Sequence, residues 1–485
     1  MSTAAGSPNN DGEFSRAELA RDIEHDYSTS DDGVVPLSRR RSRYSFFALW
    51  LTFVAGFTTL FLGFQLHEAG YSLRRAMLAG VVGAVAYLIY ALPAAYLGSR
   101  TGQTHALLTR SILGQLGSVL VSLTLIGVAA GWIAFAFSLL AAMYDGLYGW
   151  GHLVLISVLF AIFGVANTLL GFTGISAFAR FVVAPLMILW VVYLIAKGLT
   201  DVAGGDLSAA GAATTTLPFL SGVATAIGAV MWGNEPDTWR YGQPRLWWPL
   251  PPYALALAVG LVLFVSGGWL MAELSGAGPF DFGPAYRATV EYSLFGALWL
   301  GLLVATVVQV AINDGNYYEQ VNAGQNLVGA VPGWRRWYTC AIVAAIAALF
   351  TWQFPRLEEG FFQVTGWTSI ALPSVTVVMA VDQFVLPRLL GLTRPVEPIP
   401  SWRESAVANW PGIAAVALAV LFGAWGLGLF PGQDAVPSAG LVPLEAWALA
   451  GLLYLGLAAL AARVGGGPAL LGVPSTAERR VGALR

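Results

Sequence analysis

Leu51-Thr-Phe-Val-Ala-Gly-Phe-Thr-Thr-Leu-Phe-Leu-Gly63 is apolar enough to lie in lipid, yet it is interrupted by Gly56 and Gly63. A later run carries Gly222, Gly228 and Gly233 and then Pro236. Glycine and proline weaken a helix by freeing backbone groups that lipid cannot satisfy. Two such interrupted helices, first and sixth in order, occupy matching places if the chain is built from two five-helix repeats. That is a sequence pointer to a secondary transporter with broken helices at the midplane. The same glycines also serve for close packing of membrane helices, so they leave both readings open.

The rest of the chain supports a membrane reading. Of its 485 residues 57% are hydrophobic and 11% charged, against about 25% charged in a soluble domain. Apolar runs of roughly 20 residues recur between positions 46 and 463, each able to cross about 30 Å of hydrocarbon. The expected fold class is an all-α polytopic membrane protein. Twelve transmembrane helices are predicted near 45–69, 75–98, 112–144, 150–170, 175–198, 215–234, 249–273, 292–316, 336–354, 361–386, 406–430 and 441–463. The third is long enough to include an interfacial segment around 110–117. Residues 1–44 read as a disordered cytoplasmic tail without the apolar core of a cleavable signal, and 464–485 as a second tail.

Basic residues resist translocation and so set orientation. Of the 25 Lys and Arg, all but Arg74, Arg75, Lys197, Arg287 and Arg356 fall on the side that holds the termini. Both termini are therefore expected in the cytoplasm, with the protein in the cell membrane. Asp201, Asp206, Asp281, Glu358 and Glu359 gather opposite.

Net charge is −2 and no basic face forms, so no nucleic-acid partner is expected. One cysteine, Cys340, excludes an internal disulfide. The four histidines, His25, His67, His105 and His152, share no helical spacing, so no metal site or other cofactor is expected. An intramembrane enzyme would need a nucleophile and base at one depth, and these residues supply neither.

Polar groups inside the spans are costly and mark function. Asn313, Asp314 and Asn316 follow an apolar run, 298–312, interrupted only by Gln309. They read either as a functional cluster or as the cytoplasmic end of the helix. At the inner end of span 6, Asp237 and Arg240 are spaced for an i,i+3 salt bridge, and Glu235 stays open. Asp382 is expected to anchor Arg388 or a neighbouring loop. Trp132, beside Gly131 in mid-span, is far from the interfacial belts where Trp collects and is a candidate stacking platform.

These motifs resemble the nucleobase:cation symporter-1 family, and its bacterial cytosine-permease branch more than its hydantoin branch. Thr101-Gly102, Leu107-Leu108, Arg110, Gly114 and Gly117-Ser118 fit the loop between helices 2 and 3. Gly131-Trp132, then Asp237 with Arg240-Tyr241-Gly242, then Asn313-Asp314 with Tyr318 fit helices 3, 6 and 8. Gly366-Trp367, Pro373 and Asp382 fit helix 10, and Asn409-Trp410 opens helix 11. The series runs in order across 36–431.

The resemblance implies two inverted five-helix repeats, 45–198 and 215–388, with helices 1 and 6 broken, and two trailing helices at 406–463. A planar heterocycle would sit between helices 1, 3, 6, 8 and 10, stacked by aromatics and held by amides, with an inward cation gradient driving uptake. Trp132 would be the stacking residue and Asn313 the helix 8 amide. The sequence also departs from the family pattern. Ala129 stands where cytosine permeases carry an amide. The helix 6 stretch reads Ile227-Gly228-Ala229-Val230, so Met231 and Trp232 border the pocket, Trp232 replacing a missing ring or the pocket being enlarged. Hydroxyls that bind sodium in relatives are Val308, Ala311 and Ile312 here, which favours proton coupling through Asp314 or Glu235. The expected function is cation-coupled import of a nucleobase-like solute. Uncoupled facilitation, or transport of a hydantoin, allantoin or thiamin-precursor pyrimidine, are the alternatives.

Overall fold

The computed structural model describes residues 33–202, 207, 219–328, 331, 333–354, 357–397, 399, 402, 404–433, 441–464 and 467–472. Most of the two expected tails, together with Asp206, Arg356 and Arg403 of the orientation argument, lies outside the described residues. Among the described residues every regular element is helical.

Helix α1, Arg43–Val54, starts where Ser42 Oγ accepts the Ser45 amide at 3.3 Å. It stops because Ala55 is extended and Gly56 has φ 111°, ψ −149°, a conformation open only to glycine. Helix α2, Phe57–Glu68, resumes bent by 49° from α1. Helix α3, Leu73–Thr101, ends on left-handed Gly102. A short α4, His105–Ile112, precedes α5, Gly114–Tyr148, so the segment expected to be interfacial is a helix of its own, separated at Gly114.

Residues 153–201 then form one continuous helical path. It comprises α6, Leu153–Phe163, a 3-10 stretch Gly164–Leu170, α7, Gly171–Phe178, a π-helical turn and α8, Ala184–Asp201. Its 49 residues correspond to about 74 Å of helix, more than twice a bilayer core. The second broken element follows. Helix α9, Phe219–Val230, gives way to non-helical 231–235 before the single turn α10, Pro236–Trp239.

Helices α11, Leu250–Leu257, and α12, Val265–Ser275, flank a π-helical stretch. Helix α13, Phe282–Ser293, is an element the sequence reading did not predict. Apart from the single turns Leu386–Leu389 and Gly467–Leu470, the remaining α-helices among the described residues are α14, Leu298–Val328, α15, Arg336–Trp352, α16, Leu357–Ala380, α17, Trp410–Gly426, and α18, Val442–Arg463. Helix α14 runs twelve residues past the expected end at 316. Its polar half stays helical because its side chains find partners inside the protein, among them Gln320 on the Ile126 carbonyl and Asn322 on Asp237.

Seven of the described helical segments are long and apolar enough to cross a membrane, eight if α1 and α2 count as one bent span. Phe219–Val230, Arg336–Trp352 and Trp410–Gly426 are shorter apolar helices. Large apolar side chains such as Ile89 and Leu189, about 70% exposed, cover the outer surface, as a lipid-facing surface requires.

The interior is organised by the two breaks. Helix α2 lies so close to α12 that a Cβ on Gly63 would sit 2.2 Å from the Val265 carbonyl oxygen. Helices α9 and α10 pack on α3, while α14 packs on α5 and α1, and α16 on α5. The two interrupted helices thus meet α5, α14 and α16 around one point.

Candidate functional site

Where the breaks face each other, Phe53 at the end of α1 meets Trp232 just past α9, ring centroids 4.7 Å apart. Gly315 of α14 makes room for both: a Cβ there would lie 2.7 Å from the Trp232 ring and 2.9 Å from that of Phe53. Beside this pair lies a cavity of about 30 Å³, room for roughly two waters. Phe53 and Thr58 line it from the first broken helix, and Ala229, Met231 and Trp232 from the second. Helix α5 supplies Val128, Ala129 and Trp132, α14 supplies Ile312, Asn316 and Glu319, and α16 supplies Thr368 and Leu372.

The Trp132 indole is held in place. Its Nε1 donates to Thr368 Oγ1 at 2.8 Å, and the Thr368 hydroxyl donates to the Val364 carbonyl at 2.7 Å. Trp132, Ala129, Met231 and Trp232 all border this one cavity.

Two expected pocket residues lie elsewhere. Asn313 is fully buried and does not line the cavity. Its Nδ2 donates to Gln309 O at 2.9 Å, and its Oδ1 accepts from Asn316 Nδ2 at 3.1 Å. The reason is helical phase: Ile312, Asn316 and Glu319 follow i, i+4, i+7 along one face, and Asn313 is turned about 100° from it. Gly228 is likewise one position out of phase, and Ala229 takes the lining place. Asn316, read in the sequence only as a member of the polar cluster, takes the lining place on α14, and Glu319 was not singled out; the same spacing counted from Ile312 was the signal that could have found it.

The proposed proton carriers also lie off the cavity lining. Asp314 points across α14 to the 3-10 stretch, where its Oδ2 accepts from Asn167 Nδ2 at 2.6 Å. Glu235 accepts from Tyr87 Oη at 2.7 Å, and that hydroxyl in turn accepts from Tyr253 at 2.9 Å. The i,i+3 salt bridge of Asp237 with Arg240 is not formed. Asp237 instead accepts from Asn322 at 3.0 Å and Asn234 at 3.3 Å, while Arg240 reaches Tyr318 Oη at 2.5 Å. Arg240 closes the turn of α10, its backbone N–H on the Pro236 carbonyl at 3.0 Å, but its guanidinium turns to Tyr318 of α14 rather than back to Asp237.

The positions doubted as sodium ligands bring carbon. Val308 and Ala311 are buried, Val308 against Gly56, and Ile312 faces the cavity. Thr59 of α2 turns its hydroxyl back onto the Gly56 carbonyl at 3.2 Å.

Several family-like motifs hold the frame. Arg110 Nη2 donates to Asn326 Oδ1 at 2.6 Å, tying α4 to the end of α14. Asn409 caps α17 and donates to the Ile112 carbonyl and Tyr454 Oη. Asp382 anchors a loop as expected, through Arg394 at 3.1 Å rather than Arg388, and accepts from Tyr454 Oη at 2.5 Å.

The family model described as a permease for cytosine/purines, uracil, thiamine and allantoin matches residues 34–449. The cytosine permeases of Escherichia coli O157:H7 and of Escherichia coli strain K12 are each 27% identical over 410 residues, covering 82% of this chain and 90% of theirs. Among solved structures, the chain is similar to Mhp1, a nucleobase-cation-symport-1 family transporter, in a closed conformation with bromovinylhydantoin bound. The TM-score is 0.70 at 18% identity, covering 94% of this chain and 99% of that one. The inward-facing conformation of Mhp1 gives 0.66 at 18% identity, covering 88% and 93%. A substrate-bound, outward-open sodium-coupled sialic acid symporter gives 0.59 at 10% identity, covering 91% and 96%. These structural likenesses establish the fold. With the family model spanning most of the sequence, this multi-pass membrane protein belongs to the nucleobase:cation symporter-1 family of cytosine/purine permeases and is a transporter.

Proposed function

We propose that the protein imports a planar nitrogen heterocycle of nucleobase type across the cytoplasmic membrane by proton symport. The observation that carries this is the cavity between the two helix breaks, walled by Trp132, Trp232 and Phe53 with Asn316 beside them. A flat ring gains most from stacking on aromatic faces, and a few placed amides fix its orientation. The relatives named cytosine permeases and the hydantoin-bound neighbour support a solute of this shape. Ala129 offers no amide, so hydrogen bonding falls to α14.

In this reading the chain makes twelve crossings, with both termini cytoplasmic. Two inverted repeats, 45–198 and 215–388, rock against each other about the solute, and 406–463 trails behind. At about 30 Å³ the cavity must widen before a ring enters, so solute binding selects a more open state. Protons are the favoured coupling ion because a sodium shell needs several oxygens, Val308 brings a methyl carbon to the break, and Ala311 and Ile312 carry no side-chain oxygen.

A thermal-shift screen of purines, pyrimidines, hydantoins and thiamin-precursor pyrimidines on the purified full-length protein tests the solute class, because a ligand that binds only the folded form raises its melting temperature. At least one planar heterocycle should stabilise wild type and leave Trp132→Ala unchanged. No stabilisation by any of them would contradict the reading.

A further inference from the structure

Among the described residues, Glu319 is the single carboxyl group on the cavity wall, and the other lining side chains are uncharged. It is 5% exposed, and Asn234 of the second break is among its electrostatic neighbours. Asn316, one turn earlier on α14, lines the same wall. Its Nδ2 is spent on Asn313, and its Oδ1 has no protein partner among the described residues.

The groups that set the charge around Glu319 are few. Glu235, at the end of the second break, and Asp237, just beyond it, are its direct electrostatic neighbours, and both are acidic. His105 of α4 donates a backbone N–H to Asp237, and Arg240 acts on Asp237. Tyr318 of α14 lies between Arg240 and Arg336 of α15, its ring within 6 Å of both guanidinium carbons. Among the described residues, Glu235, Asp237 and Glu319 form no ion pair. A buried charge without a paired partner is costly, and a proton on the acid facing the cavity removes one.

Protonation also changes what Glu319 can recognise. A carboxylate presents two acceptors, whereas a carboxylic acid presents a hydroxyl donor beside a carbonyl acceptor. Nucleobase rings offer edges with a donor next to an acceptor, such as the exocyclic amino group and ring nitrogen of cytosine or adenine or the N–H and carbonyl of uracil. The acid form satisfies such an edge with two hydrogen bonds, and the ionised form meets its acceptor with a second acceptor.

We propose that protonated Glu319 binds the solute by pairing with an adjacent donor–acceptor edge, so that proton and heterocycle are taken up at one point. This rests on the function proposed above and narrows it. The substrate class becomes planar heterocycles with an amidine or lactam edge, and the coupling proton sits on Glu319 rather than on Asp314 or Glu235.

Calorimetric titration of the full-length protein with cytosine, adenine and uracil, in two buffers of different ionisation enthalpy above the titration of the group, counts protons. About one should be taken up per solute bound, and affinity should fall about tenfold per pH unit. Glu319→Gln, whose amide permanently offers a donor beside an acceptor, should keep binding within about threefold of the best wild-type value, with no pH slope and no proton uptake. Glu319→Ala should lose at least tenfold. Binding by wild type without proton uptake would overturn the proposal and needs no variant to fold. A Glu319→Gln protein that keeps the wild-type pH slope would overturn it as well, leaving the heterocycle reading intact. Failure of every planar heterocycle to bind wild type at any pH would overturn both.

Discussion

Val308 of α14 rests a methyl carbon against the break at Gly56, so closely that a Cβ on Gly56 would lie 2.7 Å from it. The contact joins two features that the sequence presents separately: a glycine that interrupts an apolar helix, and an aliphatic residue at a position the family resemblance implies for a sodium-binding hydroxyl. Gly56→Ala meets both the left-handed φ of 111° and this contact, a strain on the order of 1–3 kcal/mol. The variant is expected to melt several degrees lower and to lose more than tenfold in uptake, read by thermal unfolding and by transport in proteoliposomes.

Trp132 combines a ring face with one hydrogen bond to Thr368. Trp132→Phe keeps a ring and drops a bond worth about 0.5–1.5 kcal/mol, so solute affinity should fall between about twofold and tenfold. Trp132→Ala removes the platform and should lose binding altogether. Equal losses in the two variants would show that the hydrogen bond, not the ring, carries the residue's part.

Asn316 faces the cavity and Asn313 holds Asn316 from behind. Asn316→Ala should weaken binding by about tenfold, the cost of a lost hydrogen bond in a desolvated site. Asn313→Ala should weaken it less, by about threefold, because it only loosens the orientation of its neighbour. Binding isotherms of the two variants give the order, and the reverse order would return the role to Asn313.

Arg394 lies far from the cavity lining, buried on Asp382. It also donates to the carbonyls of Leu471 and Gly472, which pins the segment following α18. Removing one partner of a buried pair typically costs about 3–5 kcal/mol. Arg394→Ala should therefore lower the melting temperature markedly while leaving the solute affinity of the folded protein unchanged. An altered affinity with unchanged stability would contradict this.

What could be read from the sequence follows from how the lipid acts on it. Apolar runs have to be long, and glycines that interrupt them have to be compensated, so the breaks near Gly56 and Gly233 were legible. Trp132 was legible for a related reason, since an aromatic ring away from the interfaces stands out, whereas Trp232 was reached only through the family resemblance. What escaped depends on phase and partners rather than composition. Asn313, Asn316 and Glu319 are all polar and adjacent, and one helical turn decides which of them faces the cavity. The continuation of α14 to Val328 depends on the Ile126 carbonyl and the Ser118 and Ser122 hydroxyls of α5 and on the Asp237 carboxyl of α10, which a linear reading does not bring together. Helix α13 carries too little apolar length to register as a span, and the helical Asp237–Arg240 spacing does not show that the guanidinium is drawn to Tyr318 of α14 instead.

The central claim is most directly tested by uptake of a labelled heterocycle identified in the ligand screen into proteoliposomes, in sodium-free buffer, with the lumen more alkaline than the outside. The account predicts accumulation above the equilibrium level, collapse on adding a protonophore, and no uptake by Trp132→Ala. Accumulation that requires sodium, simple equilibration without accumulation, or unchanged uptake by Trp132→Ala would contradict it.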